Sequence, residues 1–204
     1  AVRPHLPGLK GKLPAFGWIL FGSLVLLVMG LLDDRKPLKA GPKFLVQLLA
    51  AVPLVVWGGY RLTFFCDCLL LNIGVTLFWY MLVINAVNFF DNMDALAGGT
   101  AAIATASFAM IAAIHGQYFV ATFGAVLCGS VLGFLIYNRP PATIFMGDAG
   151  SHFLGFNLAT LGVMTNFFMM GKSPTLAPIF IPLLVLAVPL SDVAVVVYVR
   201  LREG

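Results

Sequence analysis

An all-α, polytopic membrane helical bundle is the fold class this sequence predicts, on three observations. The 204 residues are 61% apolar and only 10% charged, against about a quarter charged in soluble domains. Mean hydropathy is +1.01. The apolar runs approach the roughly 20 residues that a spanning helix needs. They also lack the period-two alternation of strands, and only helices or closed barrels satisfy backbone groups in lipid.

Seven spans follow in order: 15–32, 43–59, 69–88, 97–114, 118–137, 152–170 and 175–199. Pro53, Pro178, Pro182 and Pro189 are expected to kink or start helices rather than break them. No repeat, low-complexity tract or linker divides the chain, so residues 1–204 read as one transmembrane domain. It begins at Ala1 without Met or a signal-peptide pattern and stops at Gly204, as a fragment of a longer chain would.

Alternating the loops across the membrane gives one side 33–43, 89–96, 138–151 and 200–204. That side holds seven Lys/Arg, and the other, counted with the N-terminal arm, holds five. The excess places the first side in the cytoplasm. Asp33, Asp34, Asp91, Asp94, Asp148 and Glu203 all share it. Only Asp67 lies opposite, and Asp192 falls inside the last span. Three acidic loops distant in sequence therefore meet at one membrane face.

The net charge of +4 is small and no Lys/Arg cluster is of the kind that tracks a phosphate backbone, so nucleic acid is not expected as a partner. Cys66 and Cys68 have no second Cys/His pair to complete a metal site, and Cys128 lies in an apolar run. His5 and His115 fall on the face away from the acids.

LLDDRKPLKAGPK ends the first span. Paired carboxylates repel unless a cation or base neutralises them, and Arg35, Lys36, Lys39 and Lys43 follow at once. NAVNFFDNMDALAGG ends the third. If its helix continued, Asn85, Asn88, Asp91, Asn92 and Ala95 would share a face, with Asp94 on the flank. An Asp at a helix centre costs about 2.5–3.5 kcal/mol on insertion scales, so such residues mark a polar site.

NRPPATIFMGDAGSHF joins the fifth and sixth spans. Asp148 stands where a helix would start. It is a hard oxygen ligand suited to Mg²⁺, and the helix N-terminus behind it favours phosphate. An N-cap role fits Asp148 equally on its own. His152 is expected to bond locally, and Asp192 to find a partner on a neighbouring helix.

Together GLLDDRKPL, NAVNFFDNMDALAGG and IFMGDAGSHFLGF resemble, in order and spacing, the polyprenyl-phosphate N-acetylhexosamine-1-phosphate transferase superfamily (glycosyltransferase family 4). The short loops and the DDR-PL form resemble the branch that transfers GlcNAc-1-phosphate more than the muramoyl-pentapeptide branch. The resemblance implies that a HexNAc-1-phosphate passes from a UDP-sugar to undecaprenyl or another polyprenyl phosphate, with release of UMP. It implies Mg²⁺, with Mn²⁺ as a substitute, and an active site on the cytoplasmic face of the inner membrane. It also admits a homodimer.

On the same resemblance Asp33 activates the lipid phosphate and Asp34 supports phosphate and metal binding. Asp148 and Asn88 hold the metal. Asn85, Asp91 and Asp94 line the nucleotide-sugar pocket, and Phe145 stacks on uracil. Lys43 is assigned to phosphate. The resemblance also implies that the first spans and a His-containing cytoplasmic loop lie outside these residues. Asn92 and Ala95 stand where relatives commonly carry glycine.

Two other readings compete. An ion-coupled transporter would spread acids over several depths, whereas here they gather at one face. A CDP-alcohol phosphotransferase would carry its aspartates in one DGxxAR-type motif, which is absent.

Overall fold

The computed structural model describes residues 12–62, 68–170 and 177–203. His5, Cys66 and Asp67 lie outside them. Among the described residues there are eight helices and no strand. They are α1 Leu13–Arg35, α2 Ala40–Val56, α3 Leu69–Phe90, α4 Leu96–Ile114, α5 Tyr118–Asn138, α6 Gly147–Met170, α7 Ala177–Val185 and α8 Ala187–Glu203.

Four of them (α1, α3, α4 and α5) are long and apolar enough to cross a membrane, and α2 is apolar but only 17 residues long. All seven predicted segments are helical, with corrections at their ends. Pro42 suits a first helical turn, so α2 starts three residues before the predicted span. It stops at Trp57, ahead of a turn that Gly59 makes at φ +75°. The sixth span begins at Gly147 rather than 152. The seventh is two helices that part at Leu186. Pro189 has no N–H to offer the carbonyl four residues earlier, which weakens the ladder there.

Helix α6 is the axis of the bundle. It packs most heavily against α1 and α3, and also touches α4, α5 and α7. Phe156, Leu158, Ala159, Leu161, Val163 and Met164 are all fully buried. These positions fall on every side of the helix, as in a helix at the centre of a bundle.

Lipid tails are as apolar as Leu, so close packing and buried hydrogen bonds hold such helices together. Both occur here. A Cβ on Gly155 would lie 2.7 Å from the Ile84 Cα, so α6 and α3 touch backbone to backbone. Ser23 and Asn157 bond reciprocally between α1 and α6 at 3.2 and 3.0 Å. The Trp79 indole N–H donates to the Ala159 carbonyl at 3.1 Å, and the Tyr80 and Thr160 hydroxyls meet at 3.0 Å. Asp192 differs from its expectation: it is half-buried on α8 and makes no hydrogen bond or ion pair among the described residues.

Candidate active site

Four helices deliver side chains to one cluster. The Lys43 ammonium, from the first turn of α2, forms an ion pair with Asp33 and donates to Asp148 Oδ2 at 3.2 Å. Asn88 of α3 donates through Nδ2 to the other oxygen of Asp148 at 2.6 Å and to the Ser151 hydroxyl at 2.9 Å. Asp33 is only 4% exposed. It also accepts the Leu38 N–H at 2.6 Å, which folds the α1–α2 connection back over the end of α1. The Lys43 charge answers the repulsion between two carboxylates that would otherwise meet unpaired.

The second aspartate of the pair does something else. Asp34 accepts the N–H groups of Asp148 at 2.8 Å and Ala149 at 3.2 Å. It therefore caps α6 from another helix and complements the positive end of the helix dipole. Two of the N–H groups expected to favour phosphate are thus taken by Asp34. Gly147 makes the contact possible. Its φ is +64°, and a Cβ would stand 3.0 Å from both Asp34 oxygens. Gly30 brings α1 close, because a Cβ there would meet the Ala149 Cα at 2.3 Å. His152 bonds locally, as expected, with Nδ1 2.7 Å from the Asp148 carbonyl oxygen.

Beside this cluster lies an open cavity of about 260 Å³. Asp91, Asn92, Met93, Asp94, Asn138 and Phe145 are among its lining residues. The expected continuous face from Asn85 to Ala95 does not form. Helix α3 stops at Phe90, Asp91 is its C-cap, and Ala95 turns at φ +61°. Asn and Asp favour such turns because their side chains compete for backbone partners. Asp91 and Asp94 still reach the cavity, carried there by the turn. Asp94 accepts the Ala142 N–H at 3.0 Å, tying this turn to the α5–α6 loop. Burial first, then the charges of Asp148 and Asp34, push the Asp91 carboxyl up to about 6. Phe145 is 73% exposed, with its ring available for stacking.

Asn85 does not line this cavity. Its Nδ2 donates to Gln47 Oε1 at 2.8 Å and to the Met81 carbonyl at 2.7 Å. Asn138, not among the residues expected from the sequence, is 4% exposed. Asn138 accepts the Ala95 N–H at 3.0 Å and donates to the Ile144 carbonyl at 2.9 Å, stapling the two loops that wall the cavity. A lone Asn closing an apolar span is the signal that marks it. Ser151 and Gln47 were missed as well.

The donor set suits a hard cation in part. Mg²⁺ is commonly held by one or two carboxylates plus substrate phosphates, and Asp148 and Asp33 supply that number. No group of three or more His, Cys, Asp or Glu among the described residues is arranged to hold a metal by itself. Asn88 presents its NH₂ to Asp148; service as a metal ligand requires its amide oxygen instead.

Fold and site together define a multi-pass membrane protein with a polar, acid-lined site at one end of its helices. The model of glycosyl transferase family 4 matches residues 16–166, and the chain belongs to that family. It is 37% identical over 182 residues to a probable undecaprenyl-phosphate N-acetylglucosaminyl 1-phosphate transferase of Bacillus subtilis (strain 168), covering 85% of this chain and 49% of that protein. It is 36% identical over 182 residues to the phospho-N-acetylmuramoyl-pentapeptide-transferase of Geobacillus kaustophilus (strain HTA426), covering 81% and 56%. The enzyme of that name from Listeria monocytogenes serotype 4b (strain CLIP80459) is 34% identical over 179 residues, covering 78% and 55%. The chain spans about half the length of the curated relatives it matches.

Proposed function

We propose that this chain carries part of the active site of a Mg²⁺-dependent transferase. The enzyme moves a HexNAc-1-phosphate, GlcNAc-1-phosphate in the first instance, from a UDP-sugar to a polyprenyl phosphate such as undecaprenyl phosphate. The reaction takes place at the cytoplasmic face of the inner membrane and serves cell-wall or surface-glycan synthesis. One observation carries the reading: the Asp33–Lys43–Asp148–Asn88 cluster adjoins an open, acid-lined cavity at the same end of the bundle. The names of the relatives support the substrate class.

Phosphoryl transfer asks for positioning and charge neutralisation more than for covalent chemistry by the protein. An oxygen of the acceptor phosphate forms a bond to the sugar-bearing phosphorus. The bond from that phosphorus to the bridging oxygen breaks, and UMP departs with the electron pair. In this scheme Asp33 receives the proton of the acceptor phosphate, and Lys43 offsets negative charge between Asp33 and Asp148. Asp148, with Asn88 turned to present its amide oxygen, would hold Mg²⁺, which would supply Lewis-acid neutralisation of the diphosphate. Phe145 stacks on the uracil, and Asp91 and Asp94 contact the nucleotide sugar. The acceptor's tail stays in lipid while its headgroup meets a soluble donor at the surface.

The test uses the intact protein in membrane vesicles with UDP-GlcNAc, undecaprenyl phosphate and Mg²⁺. UMP and a labelled lipid diphosphate sugar are the expected products, and their absence with every UDP-HexNAc supplied would overturn the proposal. Asp148→Asn is expected to lower turnover by about a hundredfold or more, the scale of losing one key electrostatic group.

A further inference from the structure

We propose that Gln47 and Asn85 form a positioning pair, whose reciprocal amide bond sets α2 against α3 so that Lys43 and Asn88 meet on the two oxygens of Asp148. The inference rests on the transferase reading. Asn85 Nδ2 donates to Gln47 Oε1 at 2.8 Å, and Gln47 Nε2 returns a bond to Asn85 Oδ1 at 3.4 Å. The Met81 carbonyl, 2.7 Å from Asn85 Nδ2, can only accept. That bond fixes which way the Asn85 amide faces, and so which way Gln47 must face. Gln47 is 1% exposed, so its amide is held among protein atoms.

The placement links the pair to the chemistry. Gln47 follows Lys43 by four residues and Asn85 precedes Asn88 by three, so each shares a helix face with the residue above it. Lys43 Nζ reaches Asp148 Oδ2 at 3.2 Å, and Asn88 Nδ2 reaches Oδ1 at 2.6 Å. The amide pair is thus the lower rung of a ladder between α2 and α3, and Asp148 bridges the upper one. A slide or rotation of α2 that opened the lower rung would carry Lys43 off Asp148. Both N–H bonds of Asn85 are spent on protein acceptors, so its part in turnover is to hold α2 and α3 in register rather than to touch the nucleotide sugar.

The experiment measures kcat and KM for UDP-GlcNAc in the intact, membrane-embedded protein. It compares Gln47→Leu, Asn85→Leu, the double variant and the swap Gln47→Asn/Asn85→Gln, which keeps the summed length of the pair. Each Leu variant is expected to lose about tenfold in kcat, within the cost of misplacing a reacting group by about 1 Å. KM is expected to stay within about twofold, as for a residue that does not bind the ground-state donor. The double variant should lose no more than either single one, and the swap should recover most of the turnover.

A rise in KM confined to Asn85→Leu, with Gln47→Leu unaffected, would overturn the pairing and make Asn85 a nucleotide ligand. So would a swap variant that melts like the unmodified protein yet turns over no better than the singles. If a Leu variant fails to accumulate, the swap alone decides by the same two outcomes. No product from the unmodified protein would instead refute the transferase reading. Thermal unfolding then still reads the pair, through non-additive Leu effects and a restored swap.

Discussion

Asp33 and Asp148 meet inside a closed set of bonds, whereas Asp91 and Asp94 border open space. In the closed cluster a buried carboxylate, an ammonium and an amide satisfy one another across four helices. In the open region burial and two other acids push the Asp91 carboxyl up to about 6, and among the described residues no cation pairs with it. Asp34 stands between the two regions. It caps α6 and at the same time adds negative charge beside Asp91. The cluster is thus compensated from within, whereas the cavity is lined by acids. Under the proposed function, a donor arriving with its cation would supply the positive charge that this lining calls for.

Removing the ammonium should break the contrast most severely. Lys43→Met leaves Asp33 buried with its charge unanswered. We expect a loss of about 2–4 kcal/mol of stability, the scale for breaking a partly buried pair, and about a hundredfold in turnover. Thermal unfolding in detergent and the UMP assay measure the two effects. A variant with unchanged melting would show that the two carboxylates do not depend on Lys43.

The open region should show itself in pH dependence. The Asp91 carboxyl sits at about 6 against an ordinary 3.8, so the folded protein holds this proton more tightly than the unfolded chain. Ionisation therefore costs folding stability. The penalty is absent below about pH 4, grows as pH rises and is complete above about pH 6. Melting temperature should fall across that window relative to Asp91→Asn, which has no such proton. Parallel curves for the two proteins would remove Asp91 from this role.

The smallest expected effect concerns the turn that delivers Asp91 and Asp94. Ala95 adopts φ +61°, which costs a residue with a Cβ about 1–2 kcal/mol. Glycine relieves that cost but makes the unfolded chain more flexible, which takes back about 0.4–1 kcal/mol. Ala95→Gly should therefore raise stability by about half to one kcal/mol with little change in turnover, as thermal unfolding would record.

Much of this arrangement was legible because charge near lipid is expensive. Asp33, Asp91, Asp94 and Asp148 sat in loops that alternation put on one side, and the structure brings their loops together. What the spacing did not carry was the choice of partner. Nothing local distinguishes Asp34, which caps a helix starting at Gly147, from its neighbour Asp33, which pairs with Lys43. Asn85 looked like part of a continuous polar face because helical periodicity was extended through residues 91–95. Turn chemistry won there, and the helix ended at Phe90. Gln47 was visible as the single amide in an otherwise apolar run, yet its role depends on α3, 38 residues away. The break at Leu186 lies between Pro182 and Pro189, which the sequence led one to expect would kink or start helices rather than break them.

The division between a chemical cluster and a nucleotide cavity is tested most directly by UMP binding without divalent metal. We expect Phe145→Ala to weaken UMP binding about tenfold, the loss of one stacking contact of about 1–3 kcal/mol, while Asp148→Asn stays within about twofold. The reverse pattern, with Asp148→Asn abolishing metal-free binding and Phe145→Ala neutral, would contradict it.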